Sequence, residues 1–513
     1  YLEDYNNKEI VAPSLISNIG TKLYSKTNIH NSSNKEITDK YKLRVWLDKN
    51  VDASSWTKDT KNQYKFKIGI ESEETEVSSG PNEPVLDDGM IPVYYDESTS
   101  SWKKADSSNK DNNWYNYESK KWANSVTVSS ANRSTYKSAS VGTEIPMDDI
   151  LTMQVWIPRY KYKVWNYNAD GTVSSNPQEI EITWEEGTSK TGEITCTDSI
   201  SGTDGDPSET CKVGSTTCTD STCNNKTYTH PAFTFGDEEI QGFWIGKFEF
   251  TGAIGSITVK PNLSSLRSQT VSSFGTNVMN MKNSSNQYGL GTSTDTHMIK
   301  NMEWGAVAYL SHSKYGTCTD GACTEIGVNN NSSYTTGCGA IAESSSSSTC
   351  NAYNTTTGML ASTAQNIYGV YDMNGGAREY TMANIVGNDG TTMMSGYDVY
   401  MYSGYIGLVN AGGYEKYGEI PYPNAKYYDK YSYSASDTTR KRSKLGDGIK
   451  EVYNTSDYGW YNDKSYFASV DAPWFCRGDF KVGERGVSDG IFSSLGNHGG
   501  ADKSYSSRLI ITP

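Results

Sequence analysis

The chain has no apolar run approaching the roughly 18 residues that a membrane-crossing helix needs. No charged-then-apolar leader opens it, so Tyr1 reads as a processed or trimmed end. Apolar residues amount to only 35% of the sequence, below the usual share for a globular chain. Positive charge is short as well. Lys and Arg number 46 against 60 Asp and Glu, a net charge of -14 that would not neutralise a phosphate backbone, so nucleic acid is excluded as a partner. The densest basic run, Arg440-Lys-Arg-Ser-Lys444, is expected to be a solvated loop. Histidine is scarce: the five residues are scattered, and no His-x-x-x-His pair exists. No nucleophile–base pair stands out, so no catalytic residue is assigned and no cofactor is required. No Asp-x-Asp-x-Asp-Gly loop singles out a metal, although the plentiful carboxylates leave room for a bound calcium ion.

What the chain does have is tyrosine (38) and glycine (47), with abundant Ser, Thr and Asn. A Tyr-rich, Leu-poor composition favours strands over helical bundles. The same residues dominate binding loops, because Tyr offers a large contact area at low entropy cost. At 513 residues there is room for about two to four domains. The expected fold class is mostly β with minor α.

Eight of the nine cysteines fall in two segments, and Cys476 stands apart. Cys218-Thr-Asp-Ser-Thr-Cys223 and Cys318-Thr-Asp-Gly-Ala-Cys323 share one spacing, with turn formers between the thiols, which suits disulfides closing tight loops. Zinc is the rival reading, but the spacers are long and no histidine pair joins them. Proximity suggests Cys196–Cys211, Cys218–Cys223, Cys318–Cys323 and Cys338–Cys350, and hence an oxidising compartment.

Along the chain, residues 1–75 read as a β-sandwich-like module. Tyr41–Leu47 and Tyr64–Ile70 alternate strictly between apolar and polar. Two strands are too few for an independent sandwich, so the partners come from residues 1–30 or from another chain by strand addition. Residues 76–90 are acidic and Pro/Gly-marked, a linker. Residues 91–190 form an aromatic-rich β region, ending in Gln154–Trp165 as a half-exposed strand whose Arg159, Lys161 and Lys163 face solvent. Residues 191–228 read as a disulfide-rich insertion without core residues, and 318–350 as a second insertion within a domain spanning 229–513. The segment Asn301–Leu310 has helical spacing with Asn301 as N-cap.

Four segments in order carry a family resemblance. They are Gly242-Phe-Trp-Ile-Gly-Lys-Phe-Glu-Phe-Thr251, Ile299-Lys-Asn-Met-Glu-Trp-Gly-Ala-Val-Ala-Tyr-Leu310, Asn366-Ile-Tyr-Gly-Val-Tyr-Asp-Met-Asn-Gly-Gly-Ala-Arg-Glu-Tyr380, and Trp474-Phe-Cys-Arg-Gly-Asp479 leading to Ser507-Arg508-Leu-Ile510. Together they resemble the formylglycine-generating-enzyme family and its C-type-lectin-like relatives, over residues 240–513. The resemblance implies an irregular α+β domain of short strands, long loops and a ligand surface near the C-terminus. Within it, Glu379 and Arg378 form either a buried or a surface ion pair. The enzymatic branch carries two copper-binding cysteines shortly after the Arg-Gly motif; here Asp479–Val487 contains none, so the non-enzymatic branch is the better match. That branch includes the variable proteins of diversity-generating retroelements, in which a fixed frame displays mutable residues. Here Trp474, Gly478, Gly499 and Arg508 would belong to the frame. The candidate ligand-binding residues between frame positions are Asp479, Lys481, Glu484, Arg485, Asn497, His498, Asp502, Lys503 and Tyr505. Residues 41–70 also resemble the end of a β-sandwich module in Gram-positive surface and fibre proteins.

The expected function is recognition or adhesion outside a bacterial cell, on its surface or on a fibre, with a protein or glycan ligand on another cell. The alternatives are a filament subunit that polymerises through its N-terminal module, and a phage receptor-binding protein.

Overall fold

The computed structural model describes residues 80–108, 113–167, 173–410, 413–436, 440–455, 457–478 and 490–513, with the backbone of 2–4, 9–11 and 41–43. The chain divides into two units, Tyr1–Glu74 and Thr75–Pro513. In the first, Leu2–Asp4 lies between Glu9–Val11 and Tyr41–Leu43 in an antiparallel sheet. The strand at Tyr41 therefore takes its partner from within residues 1–30, and Tyr64–Ile70 lies outside the described residues.

The second unit is mostly β with minor α, and its largest sheet has seven antiparallel strands. Their order is Asp295–Met298, Leu509–Thr512, Gly242–Gly246, Ile150–Pro158, Asn124–Val128, Met90–Asp96 and Ser101–Lys104. The central strands are buried on both faces, which is why Phe243-Trp-Ile245 and Val155-Trp-Ile157 read as unbroken apolar runs rather than alternating ones. Trp156 sits opposite Trp244 across the strand pair, their rings 5.2 Å apart.

This sheet joins segments that the sequence had separated. Strands from 91–190 pair directly with those from 229–513, so the two are not independent regions. The described part of the expected linker is instead a strap over the sheet. The Asn82 side chain exchanges hydrogen bonds with the Gly187 backbone, while the indoles of Trp156 and Trp244 donate to the carbonyls of Asn82 and Val85.

Three further expectations are corrected, each because a buried charge finds partners remote in sequence. Arg159 and Lys161 do not face solvent: Arg159 is fully buried and paired with Glu185 at 2.9 Å and Glu239 at 2.7 Å. The basic run is not a solvated loop. Arg442 lies over the Phe467 ring and donates to the carbonyls of Ser432 and Ala468, and buried Lys444 pairs with Asp198. Segment 191–228 is not coreless either. Ile194, Cys211 and Cys223 are buried, and Glu209 accepts the Leu445 amide at 2.7 Å.

The helix Asn301–Ser311 is capped by Lys300, not Asn301. The Glu303 carboxylate accepts the Lys300 amide at 2.8 Å, and all eleven helical residues are buried rather than one face. Four disulfides join Cys196–Cys211, Cys218–Cys223, Cys318–Cys323 and Cys338–Cys350; Cys476 is buried and belongs to none of them. Such bonds persist in oxidising compartments. No helix among the described residues is long and apolar enough to cross a membrane.

Candidate binding face

A second sheet carries the C-terminal segment. Arg378–Ile385 lies between Asp429–Tyr431 and Trp474–Arg477; Ser494–Asn497 follows on the far side of Trp474–Arg477, and Tyr505–Ser506 also pairs with Arg378–Ile385. Arg508 ties this sheet to the large one. Its guanidinium holds both oxygens of buried Glu379 and donates to the Gly246 carbonyl at 2.9 Å. Glu379 thus pairs with Arg508 and not with Arg378. Burial pushes the Glu379 carboxyl up to about 7, even with Arg508 pulling it down. Burial likewise raises Asp372 to about 6 and Glu249 well above the carboxylate range. These carboxylates are met by the Asn329 side chain and by the backbone amides of Gly337 and Ala377, so their work is to hold segments together.

Of the residues the sequence nominated for binding, Asp479, Lys481, Glu484 and Arg485 lie outside the described residues. Asn497 and Tyr505 belong to an internal network. The Asn497 carbonyl oxygen accepts the Tyr380 hydroxyl at 2.6 Å, and its amide donates to the Tyr505 hydroxyl at 2.9 Å. Tyr505 is only 7% exposed and stacks on Tyr380 at 4.8 Å. A ligand would have to break these contacts, so half-exposed Asn497 and buried Tyr505 position the segment. His498, Asp502 and Lys503 remain at the surface. His498 donates through Nδ1 to the Asp471 carbonyl, and its ring lies 5.8 Å from Tyr397.

That neighbour leads to a feature the sequence reading passed over. Among the described residues, twelve large apolar side chains are exposed, and six of them lie between 397 and 420: Tyr397, Tyr400, Met401, Ile406, Tyr417 and Ile420. Tyr400 is 89% exposed. They sit on a lobe built from Met394–Gly396, Gly407–Val409 and Glu415–Tyr417, which form a small three-stranded sheet.

The lobe has a fixed tip and a fixed root. At the tip, one Asp398 carboxylate oxygen accepts the amides of Tyr400 and Met401, both at 2.7 Å. The Tyr397 amide donates to the Met401 carbonyl, and Gly396 bridges Tyr402, closing the turn. An Asx-type turn of this kind fixes the backbone path through the side chain of its own first residue. At the root, Trp474 donates its indole N–H to the Ser395 carbonyl at 3.0 Å and stacks with Tyr405 and Tyr422. Gly499 has a positive φ of 84°, and a Cβ there would come within 2.5 Å of Trp474 and 2.8 Å of Ser403. The C-terminal turn is thereby pressed against the lobe, and the two form one surface.

Acidic groups act on the phenols of this surface. Burial, then Tyr417 and Glu419, push the Tyr402 phenol up. For Tyr414 the cause is burial, then Tyr433, Asp471 and Asp204. A signal for the lobe did exist in the sequence: Tyr397-Asp-Val-Tyr-Met-Tyr-Ser-Gly-Tyr405 is a local concentration of tyrosine with no apolar alternation to bury it.

The chain matches no protein-family model and no curated protein sequence.

Proposed function

We propose that this is an extracellular recognition protein whose ligand face is the 394–420 lobe together with the His498–Lys503 turn. The carrying observation is that, among the described residues, six of the twelve exposed large apolar side chains lie between 397 and 420. A concentration of exposed apolar side chains marks an interaction site, and tyrosines lose little entropy when a partner covers them. Two lines support the choice. The four disulfides suit life outside the cell. The resemblance to C-type-lectin-like display proteins directs attention to the same end of the chain, and Trp474 and Gly499, two of the frame residues it named, root the lobe.

The test is adsorption of fluorescently labelled protein to a panel of bacterial and animal cells, read by flow cytometry. The double variant Tyr397→Ser, Tyr400→Ser should lose binding while keeping its melting temperature. Unchanged adsorption of that variant would show that the ligand is bound elsewhere.

A further inference from the structure

The lobe offers two chemistries at once: phenol rings with electron-rich faces, and carboxylates. Between 394 and 420 there are three acids, Asp398, Glu415 and Glu419, against one base, Lys416. The adjoining 498–503 turn is balanced, with Asp502 against Lys503, and the further acids lie beyond it. Exposed Asp471 accepts a hydrogen bond from the Asn410 side chain, and Asp204 and Asp471 both act on Tyr414. Glu419 acts on Tyr402, which meets Tyr417 edge-to-face at 4.7 Å with both rings at the surface. The rings touch, so no ligand fits between them; their outer faces are what a partner would meet.

Two partner classes suit an aromatic surface. A neutral glycan stacks on the rings and needs amides and carboxylates as hydrogen-bonding partners, but gains nothing from a net negative field. A cationic side chain gains from both features, by lying over a ring and by Coulomb attraction to the neighbouring carboxylates. Guanidinium is favoured over ammonium, since its flat, weakly hydrated group stacks on a phenol while its N–H donors reach a carboxylate. Building on the recognition role proposed above, we infer that the lobe binds an arginine-bearing, net-basic polypeptide segment. Tyr400 and Tyr417 supply the ring faces, and Glu415 and Glu419 the compensating charge.

The experiment is fluorescence anisotropy with a labelled (Arg-Gly)5 peptide at physiological salt, with (Lys-Gly)5 and (Glu-Gly)5 alongside. The arginine peptide should bind best and the glutamate peptide not at all. Tyr400→Ser with Tyr417→Ser, which leaves the net charge unchanged, should weaken arginine-peptide binding about tenfold. Glu415→Gln with Glu419→Gln should weaken it by a similar factor. Glu97→Gln with Glu144→Gln, exposed acids outside the lobe, should change it less than about twofold. Equal binding by parent and tyrosine variant would overturn the inference, since the attraction would then be that of any acidic protein. Absence of arginine-peptide binding, with cell adsorption still dependent on Tyr400, would also overturn it; recognition by the lobe would stand and the partner would be a neutral glycan or protein. Failure of both the peptide and the cell measurements would remove the recognition role as well.

Discussion

The body around the large sheet and the 394–420 lobe use tyrosine in opposite ways. In the body the phenols point inward to fixed acceptors: Tyr117 donates to the Trp156 carbonyl, Tyr160 to the Ala306 carbonyl, and Tyr162 and Tyr309 both to one oxygen of Glu451. In the lobe Tyr397, Tyr400 and Tyr417 point outward from a frame that is complete beneath them. A high tyrosine content is therefore two populations. One shares the core with buried Val, Ile and Leu side chains and satisfies its hydroxyls internally; the other faces outward.

The contrast can be broken most forcefully at the joint between the two sheets. Arg508→Met would leave Glu379 buried without its partner, and a loss of about 3–5 kcal/mol is expected. Urea unfolding measures it; a loss below about 1 kcal/mol would mean that Arg508 does not hold the sheets together. Next, Tyr162→Phe or Tyr309→Phe should each cost about 1–2 kcal/mol by removing a buried donor. Tyr400→Phe should change stability by less than about 0.5 kcal/mol in the same assay. Equal effects from the inward and outward tyrosines would erase the distinction.

A third test uses pH. Burial raises Glu209 and Glu379 to about 7 and Glu451 to about 8, so the folded chain keeps protons that the unfolded chain has released above about 4.5. Their stabilising contribution is complete below pH 4.5 and is lost as pH rises through 7 to 8. Buried His230 and His312 are lowered from 6.5 to about 3, so their contribution is complete above pH 6.5 and falls away below it. Between pH 6.5 and 8 only the carboxylates among these groups act, and the melting temperature should fall as pH rises. Glu451→Gln should flatten that fall, since the amide oxygen can still accept the two phenols without carrying charge. A parallel slope in the variant would refute the assignment. The smallest effect is expected from mild reduction, which should expose 191–228 and 318–350 to limited proteolysis before the sheets unfold; simultaneous loss of both would show that the disulfides support the whole frame.

The sequence was most legible where local pattern and final environment agree. The unbroken apolar runs at 155–157 and 243–245 became central strands, and the eight cysteines paired in consecutive twos along the chain. It was least legible where a polar group is buried by something distant. Nothing near Arg442 announces Phe467, and nothing near Asn82 announces Gly187 and Gln241. The same limit applies at the candidate face. Asn497 and Tyr505 have the chemistry of contact residues, yet Tyr380 claims both. The Tyr-dense stretch at 397–405 gives no periodic signal because it is a loop between strands that are themselves only three residues long.

The turn from Tyr397 to Met401 has a consequence for engineering. Its shape is set by the Asp398 carboxylate and by backbone contacts at Gly396 and Met401, while the side chains at 397, 400 and 401 take little part in holding it. It is a cartridge. Its outward residues can be exchanged as a library on a disulfide-stiffened scaffold, provided that Asp398 and Gly396 are kept, and new specificities can be selected without redesigning the fold.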